Sequence, residues 1–240
     1  MYKKQDAQGL FNAEHAKRYR QDEEIGMHYG SRRHYCNLLL RILQPFDSRI
    51  SVLDIGCGTG RYFHCLRNVH LLIGLDISMD MLNQARKPIY SDQIDIDQVS
   101  LICGDVHSIA FPPNSIDFIY SIGTLGEYTH IDAALLGSLH SILAPGGRLF
   151  VTIVSTTSRI QAREHKQTGL VVRILRKAFP YLPHFIRSSI NQLLGSHYLT
   201  RSQLGKLLCN SPFKRWEITE YSHPKGSGWQ CTHFDCLAQK

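Results

Sequence analysis

Three glycines at alternating positions mark a loop that could hold a ligand. They occur in Asp-Ile-Gly-Cys-Gly-Thr-Gly, which spans residues 54–60 and follows a short apolar run. Glycine lets a chain turn tightly and lets backbone N–H groups approach a bound molecule closely. We expect a helix after the loop, with its positive dipole end toward the ligand. The spacing predicts a ligand-binding loop at the carboxyl end of a strand.

A dinucleotide site would need glycines at the spacing Gly-x-Gly-x-x-Gly. Counted from Gly56, the third glycine would stand at position 61, which is Arg61. Counted from Gly58, it would stand at position 63, which is Phe63. The spacing fails in both frames, so this loop does not match a dinucleotide-binding fingerprint.

Short apolar runs predict the strands that position this loop. The runs cover residues 51–57, 71–76, 99–103, 116–122 and 148–154. Continuous apolar runs suit strands buried on both faces of a parallel sheet, and their alternation with helices indicates right-handed crossovers. Asp76 ends the second run and Asp105 lies two residues beyond the third, and ligands of open α/β sheets bind at such strand ends.

The flanking segments complete a single predicted domain. An apolar pattern of helical period covers residues 28–43 and ends before Pro45, and Thr200 with Gln203 forms a capping box that predicts a helix over 201–209. Further strands are predicted at 213–221 and 233–239. The predicted fold class is α/β, a Rossmann-like, doubly wound, seven-stranded, mostly parallel sheet with N-terminal helices and a helical insertion after the fifth strand. Its parts are an N-terminal helical cap (1–45), a core (46–154), the insertion (155–199) and a C-terminal helix with strands (200–240).

The motifs together resemble the class I S-adenosylmethionine-dependent methyltransferases, in particular their small-molecule and quinone-biosynthesis members. The family's markers occur here in order: the glycine loop, Gly-Leu-Asp-Ile-Ser at 74–78, Gly-Asp-Val at 104–106 and Leu-Ala-Pro-Gly-Gly-Arg-Leu at 143–149. The resemblance covers about residues 45–155 well and 200–240 more loosely. It implies S-adenosyl-L-methionine as cofactor and S-adenosyl-L-homocysteine as product.

The resemblance also implies roles for individual residues. Asp76 would accept the ribose hydroxyls, Asp105 would accept the adenine amino group, and Val106 would pack on the adenine ring. Tyr19 would close over the cofactor, or else is an ordinary helix aromatic; Asp76 could instead cap a helix, although Ser78 is an equally good cap. The implied cofactor-binding set is Tyr19, Asp54, Gly56, Cys57, Gly58, Gly60, Asp76, Ile77, Met81, Asp105, Val106 and Ser121.

The candidate catalytic residues are Glu127 and His130. A methyl group on a sulfonium is already activated, so alignment can suffice, and a base is needed only where the acceptor must lose a proton. Glu127-Tyr128 stands where quinone-biosynthesis relatives often carry Glu-His, and His130 is near enough to substitute for that histidine. Alternatively, His130 starts the next helix beside Asp132. No Asn/Asp-Pro-Pro-Tyr element follows the fourth strand, which argues against methylation of the amino groups of DNA bases.

The positive charge of the chain is concentrated in the predicted insertion. The net charge of the 240 residues is +7, and residues 155–199 contain seven basic residues and one acidic residue. Two amphipathic pieces lie within 170–194. Three interpretations are open: a substrate lid with a solvated basic face, peripheral contact with an anionic membrane, or an RNA-binding surface. Nucleic acid is the least favoured, since aromatic residues are sparse there and no RNA-binding module is appended.

The seven cysteines have scattered spacings and predict no disulfide framework, which favours a reducing cytoplasm. His223 with Cys231, His233 and Cys236 does not match a common zinc signature, and alternation along a strand would direct neighbours to opposite faces. No metal site is therefore predicted. No apolar run reaches the length of a membrane helix, so we expect a cytoplasmic protein, with peripheral membrane association as the alternative.

The sequence thus predicts a methyltransferase that acts on oxygen or nitrogen of a small, lipophilic or natural-product-like molecule. The alternatives are an RNA methyltransferase and a catalytically silent regulator that binds the cofactor.

Overall fold

Seven strands form one sheet in the order β3-β2-β1-β4-β5-β7-β6 in a computed structural model that describes residues 9–27, 29–155, 197–225 and 229–240. The strands are β1 (Ile50–Ile55), β2 (Val69–Asp76), β3 (Ile96–Cys103), β4 (Ile116–Ser121), β5 (Leu143–Val154), β6 (Arg215–Lys225) and β7 (Trp229–Gln239). Strands β1 to β5 are parallel, and β7 pairs antiparallel with both β5 and β6. The predicted seven-stranded, mostly parallel fold class is confirmed.

The helices in the described ranges begin at side-chain caps in four cases. They are α1 (Ala13–Glu24), α2 (Tyr29–Leu43), α3 (Met79–Ala85), α4 (Ala133–Ile142) and α5 (Arg201–Cys209), with 3₁₀ turns at Phe63–Cys65 and Ser91–Gln93. Asn12, Ser78, Asp132 and Thr200 each accept a backbone N–H in the first turn of the helix that follows. The capping box that predicted α5 is present, and Ser78 rather than Asp76 caps α3.

The expected alternation of strands with helices is wrong at two crossovers. Residues 61–68 and 104–115 both lie in the described part of the chain and contain no α-helix. After the glycine loop the chain makes only the 3₁₀ turn, Leu66 is already extended, and Asn68 adopts a left-handed conformation before β2 begins. Too few residues remain there for a helix, so the expected helix dipole does not contribute to the ligand site.

The sheet is buried on both faces, which explains the continuous apolar runs. On one face, Leu53 and Val151 pack in a cluster with leucines of α4 and α5. On the other face, Val52 and Phe150 pack with Leu39 of α2. Because successive residues of a strand point to opposite faces, Val52 and Leu53 serve the two layers. The two layers hold the carboxyl ends of β1 to β4 at one edge.

One disulfide is present, although the cysteine spacings predicted no disulfide framework. Cys36 of α2 and Cys65 of the 3₁₀ turn are joined by a disulfide, with their Cα atoms 5.1 Å apart. They are 29 residues apart in sequence. The pairing depends on the packing of α2 against the turn that replaces the expected helix, so sequence spacing did not reveal it.

The insertion lies mostly outside the described residues, as do the amphipathic pieces predicted at 170–194. Its two ends are described: Ser155, after β5, and Leu199, before α5, pair in an isolated bridge. Among the described residues, no helix combines the length and the apolar character needed to cross a membrane.

Candidate functional site

A cavity of about 880 Å³ opens at the carboxyl ends of the parallel strands. Ligand sites in proteins commonly have volumes of this order. Its walls come from α1, the glycine loop, the ends of β2 and β3, the segment after β4, and the hairpin of β6 and β7. Most of the predicted cofactor residues line it: Tyr19, Asp54, Gly56, Cys57, Gly58, Asp76, Ile77, Met81, Asp105 and Val106.

Two predicted cofactor residues, Gly60 and Ser121, are not among the lining residues. The Ser121 side chain is buried and donates to the carbonyl oxygen of Ile55 over 2.9 Å, which joins β4 to β1. Gly60 has φ +75°, and a Cβ there would lie 2.8 Å from the ring of Phe63. In this structure both residues shape the site from behind the cavity wall.

Gly58, the middle glycine of the loop, leaves the cavity open beside it, whereas packing leaves no space for a side chain at Gly56, the first glycine. Gly56 has φ +73°, and a Cβ there would collide with the side chain of Thr124. Gly58 has φ +55°, and its nearest neighbour would be the methyl carbon of Met81 at 3.5 Å. The surface beside Gly58 and Met81 is therefore one that a ligand can approach closely.

The N–H groups of the loop bond within the protein, which differs from the expectation that they face a ligand. Gly56 and Cys57 donate to the carbonyl oxygen of Leu75 over 2.7 and 3.1 Å. Gly58 donates to Asp76 Oδ2 over 2.8 Å. These bonds fix the loop against the end of β2, so its contribution to binding is its shape.

Asp76 joins the glycine loop to the start of α3. Its Oδ2 accepts from Gly58, and its Oδ1 accepts from the backbone N–H of Ser78 over 2.9 Å. Burial raises the pKa of Asp76, and the N–H bonds from Ser78 and Gly58 act against that rise. Each carboxylate oxygen has a second acceptor position, so Asp76 can still receive hydroxyl donors from the cavity.

Asp54 places a second carboxyl group at the base of the cavity. It is 3% exposed, and the hydroxyl of Tyr120 donates to its Oδ2 over 2.7 Å. Burial raises the pKa of Asp54 to about 8, against the lowering effect of the Tyr120 hydrogen bond. A cation bound in the cavity would favour the ionised form of this group.

A buried ion cluster fastens α1 to the glycine loop, and sequence reasoning missed it. Glu23 is 2% exposed; its Oε1 accepts from the Thr59 hydroxyl over 2.6 Å and from Arg61 Nε over 2.7 Å. Arg20 lies 3.6 Å from Glu23 Oε2 and donates to the carbonyl oxygens of Thr59 and Gln84. The available signal was the pairing of Arg20 and Glu23 at helical spacing in a helix with few apolar residues.

Tyr19 occupies the cavity wall on α1. The guanidinium carbon of Arg61 lies 4.4 Å from the centroid of the Tyr19 ring, a cation–π arrangement. Because Arg61 is held by Glu23, the same cluster orients the aromatic ring. Tyr19 therefore lines the cavity with its ring held by Arg61, and its role in covering a ligand stays a prediction.

The two catalytic candidates occupy different environments. Glu127 lines the cavity together with Tyr128, whose ring packs edge-on against Phe11 with centroids 5.0 Å apart. His130 is not among the lining residues; its Nε2 lies 3.1 Å from Asp132 Oδ2. This placement fits the alternative that His130 stands beside the cap of α4.

Three potential metal ligands meet at the far wall of the cavity. The donor atoms of His223, Cys231 and His233 all lie within 4.8 Å of one another. Strand alternation, which had argued against a site, brings Cys231 and His233 to the same face because they are two positions apart. Cys236 lies on the opposite face of β7 and is not part of the group.

The sequence pattern of the methyltransferase domain family matches residues 52–147, a range that includes the glycine loop, Asp76, Asp105 and Glu127. These residues form a class I S-adenosylmethionine-dependent methyltransferase domain.

Two curated proteins illustrate the similarity of this methyltransferase domain. The chain is 29% identical over 112 residues to the carboxy-S-adenosyl-L-methionine synthase of Trichodesmium erythraeum, covering 45% of this chain and 43% of that protein. It is 26% identical over 166 residues to the malonyl-[acyl-carrier protein] O-methyltransferase of Pectobacterium atrosepticum, covering 69% and 61%. The chain thus spans less than two thirds of the length of either relative.

A solved structure supports the fold of the methyltransferase domain. An S-adenosylmethionine-dependent methyltransferase from Mesorhizobium loti superposes with a TM-score of 0.57 at 19% identity. The superposition covers 84% of this chain and 95% of that one.

The residues of the methyltransferase domain fit S-adenosylmethionine. A nucleoside needs an acceptor for its hydroxyls and a close backbone approach, which Asp76 and Gly58 offer on one wall. The cofactor's sulfonium and ammonium need nearby negative charge, which Asp54 offers from a buried position. The cavity extends past these groups to Glu127 and the hairpin, which leaves room for a second molecule.

Proposed function

We propose that this protein transfers a methyl group from S-adenosylmethionine to oxygen or nitrogen of a small molecule with an apolar body. The observation that carries the proposal is the shared cavity, in which Asp54, Asp76 and Gly58 lie on one side and Glu127 on another. When bound, S-adenosylmethionine supplies a methyl group on a positive sulfonium, which leaves the protein mainly the tasks of alignment and exclusion of water.

The carboxylates divide the work of holding the cofactor. Asp76 accepts hydrogen bonds from the ribose hydroxyls, and the backbone N–H groups of Gly58 and Ser78 hold the Asp76 carboxylate in place. Asp105, whose Oδ1 accepts from His107 N–H over 3.0 Å, accepts the adenine amino group, and Val106 packs on the ring. Asp54 balances the positive charge of the cofactor's sulfonium and ammonium groups, and this charge keeps the Asp54 carboxylate ionised.

The acceptor half of the cavity combines apolar walls with one acid. Phe11 and Tyr128 pack together there and shield the acceptor from water. Glu127 lies beside them and takes the proton of a hydroxyl or an amine as the new bond to carbon forms. An apolar body with one protic group is the substrate that such a wall selects.

The charge of the cavity wall disfavours the RNA alternative. Its acidic lining residues are Glu14, Asp22, Asp54, Asp76, Asp105 and Glu127, and its basic ones are Lys17, Arg18 and Arg61. A polyanion would be repelled by this excess of carboxylates. Membrane contact and a lid role both concern the insertion and do not change the reaction proposed.

A methyl-tracing experiment tests the proposal. Wild-type protein and an Asp76→Ala control are incubated with methyl-labelled cofactor and a cell extract, which is then separated into RNA, protein, organic-soluble and aqueous fractions. We expect label in a small-molecule fraction, above all the organic one, and none with the control. Label in RNA or in protein would contradict the proposed substrate class, and no label in any fraction, together with no cofactor binding by calorimetry, would contradict the proposed activity.

A further inference from the structure

The hairpin of β6 and β7 presents two imidazoles and a thiol to one point. Cys231 and His233 are two residues apart on β7, and His223 lies directly opposite Cys231 in the register of the hairpin. Residues with this relationship share a face of the sheet. Cys231 is 4% exposed, and its Sγ lies 3.3 Å from Nε2 of His233.

We propose that His223, Cys231 and His233 bind a Zn²⁺ ion. Two nitrogens and one sulfur form a donor set that zinc prefers, with typical bond lengths of about 2.0–2.1 Å to nitrogen and about 2.3 Å to sulfur in a tetrahedron. Such a tetrahedron has a sulfur-to-nitrogen edge of about 3.5 Å, close to the observed separation of Cys231 Sγ and His233 Nε2. The three side chains therefore need only small adjustments to coordinate one ion.

Neighbouring side chains hold the imidazoles in place. The ring of Tyr221 stacks on His223 with centroids 5.6 Å apart, and His223 stacks on His233 at 5.3 Å. Tyr35 of α2 packs edge-on against His233 at 6.4 Å and donates to Asp235 over 3.4 Å. A ligand set whose rings are already oriented loses little conformational entropy when the ion binds.

A second group of potential metal ligands has no cysteine thiol available to bind zinc. Cys36, His64 and Cys65 also lie close together, but the two cysteines are joined to each other by a disulfide. Of these two groups, only the hairpin group has a cysteine outside a disulfide that can supply a thiolate ligand. We assign the metal to the hairpin.

Three protein ligands leave the fourth position of a tetrahedral zinc open, as in catalytic zinc sites. His223 and His233 line the same cavity as Asp76 and Glu127, so that position faces the space proposed for the acceptor. Resting on the proposed function, we assign the open position to a hydroxyl group of the acceptor. Coordination lowers the pKa of this hydroxyl, whose proton passes to Glu127, and the resulting anion faces the cofactor side of the cavity.

Metal binding is tested on the full-length protein after removal of metal with a chelator. Zn²⁺ is titrated in competition with a chromophoric chelator, and Co²⁺ serves as a spectroscopic probe. We expect one equivalent of either ion, a thiolate-to-cobalt absorption band, and loss of that band with at least tenfold weaker binding in Cys231→Ser. Cys209→Ser removes an exposed thiol on α5 and should leave all three properties unchanged. Absence of binding, or an unchanged band in Cys231→Ser, would overturn the site.

The open position is tested by adding thiophenol, a small apolar thiol, to the Co²⁺-loaded protein. A changed cobalt spectrum supports a ligand position that faces the cavity, and an unchanged spectrum overturns it. Cofactor binding by metal-free protein, measured by calorimetry, separates this inference from the proposed function. Binding of cofactor without binding of metal would leave the methyltransferase proposal intact and refute the zinc site. Binding of metal without binding of cofactor would support the zinc site and refute the proposed methyltransferase activity.

Discussion

The Thr59 hydroxyl donates to Glu23 Oε1 over 2.6 Å, so the N-terminal helix is bonded directly to the glycine loop. Glu23 is buried at this junction and also binds Arg61, whose guanidinium covers Tyr19. Loop shape, helix position and the orientation of an aromatic wall residue thus depend on one carboxylate. This dependence can be measured.

Glu23→Gln should destabilise the protein by about 3 kcal/mol, because it leaves Arg20 and Arg61 without their buried countercharge. Glu24→Gln is the matched control, since Glu24 is the adjacent residue of α1 and is exposed. Urea denaturation of both variants measures the free energy of unfolding. Equal stability of the two variants would show that the cluster does not hold α1 in place.

Asp76→Ala should weaken S-adenosylmethionine binding more than tenfold, which corresponds to at least about 1.4 kcal/mol. The variant loses the acceptor for the ribose hydroxyls and the bond that positions Gly58. Calorimetric titration gives the affinity, and Asp80→Ala is the control, since Asp80 is a half-buried aspartate in the first turn of α3 that does not line the cavity. An affinity equal to that of the control would rule out the assigned role of Asp76.

Gly56→Ala should cost more stability than Gly146→Ala, although both glycines have a positive φ. The backbone strain is shared, but only at position 56 would the new Cβ collide with Thr124, whereas nothing lies within 4 Å at position 146. Thermal unfolding of both variants isolates the steric contribution. Similar losses would mean that Thr124 can move aside, and the loop would then be less constrained than its packing indicates.

The raised pKa of Asp54 predicts how the stability of the protein changes with pH. Its pKa is about 8 in the folded protein and about 3.9 in an unfolded chain, so between these values the folded state binds more protons. The free energy of unfolding therefore falls as pH rises from about 4 to 8, by at most about 1.4 kcal/mol per pH unit from this group. Asp54→Asn should show a correspondingly flatter profile in urea denaturation of ligand-free protein, whereas Asp95→Asn, at an exposed position, should retain the wild-type slope. A wild-type slope in Asp54→Asn would contradict the raised pKa.

Features carried by local patterns were predictable from the sequence. The parallel strands, the capping box of α5 and the placement of Asp76 and Asp105 at strand ends follow from apolar runs and short motifs, and all are present. The predicted helix after the glycine loop is absent because the residues before β2 are too few and include a left-handed Asn68. Local sequence patterns do not show that the connection between the glycine loop and β2 is too short for a helix.

Features that depend on long-range pairing were not predictable. Glu23 and Thr59 are 36 residues apart and meet only because α1 packs over the loop. The approach of His223 to Cys231 depends on the register of a hairpin, and a shift of one residue would place the two side chains on opposite faces. A single sequence fixes neither the packing of α1 nor that register.

The bridge between Ser155 and Leu199 has a consequence for how such a protein can change its substrate. The bridge holds the residue after β5 beside a residue just before α5, so the chain positions that flank residues 156–198 lie next to each other. The entropy of closing a loop varies slowly with its length, so segments of different lengths can join these two positions at a similar entropic cost. Replacing the segment would then change the acceptor while the cofactor-binding residues at the ends of β1 to β4 are kept.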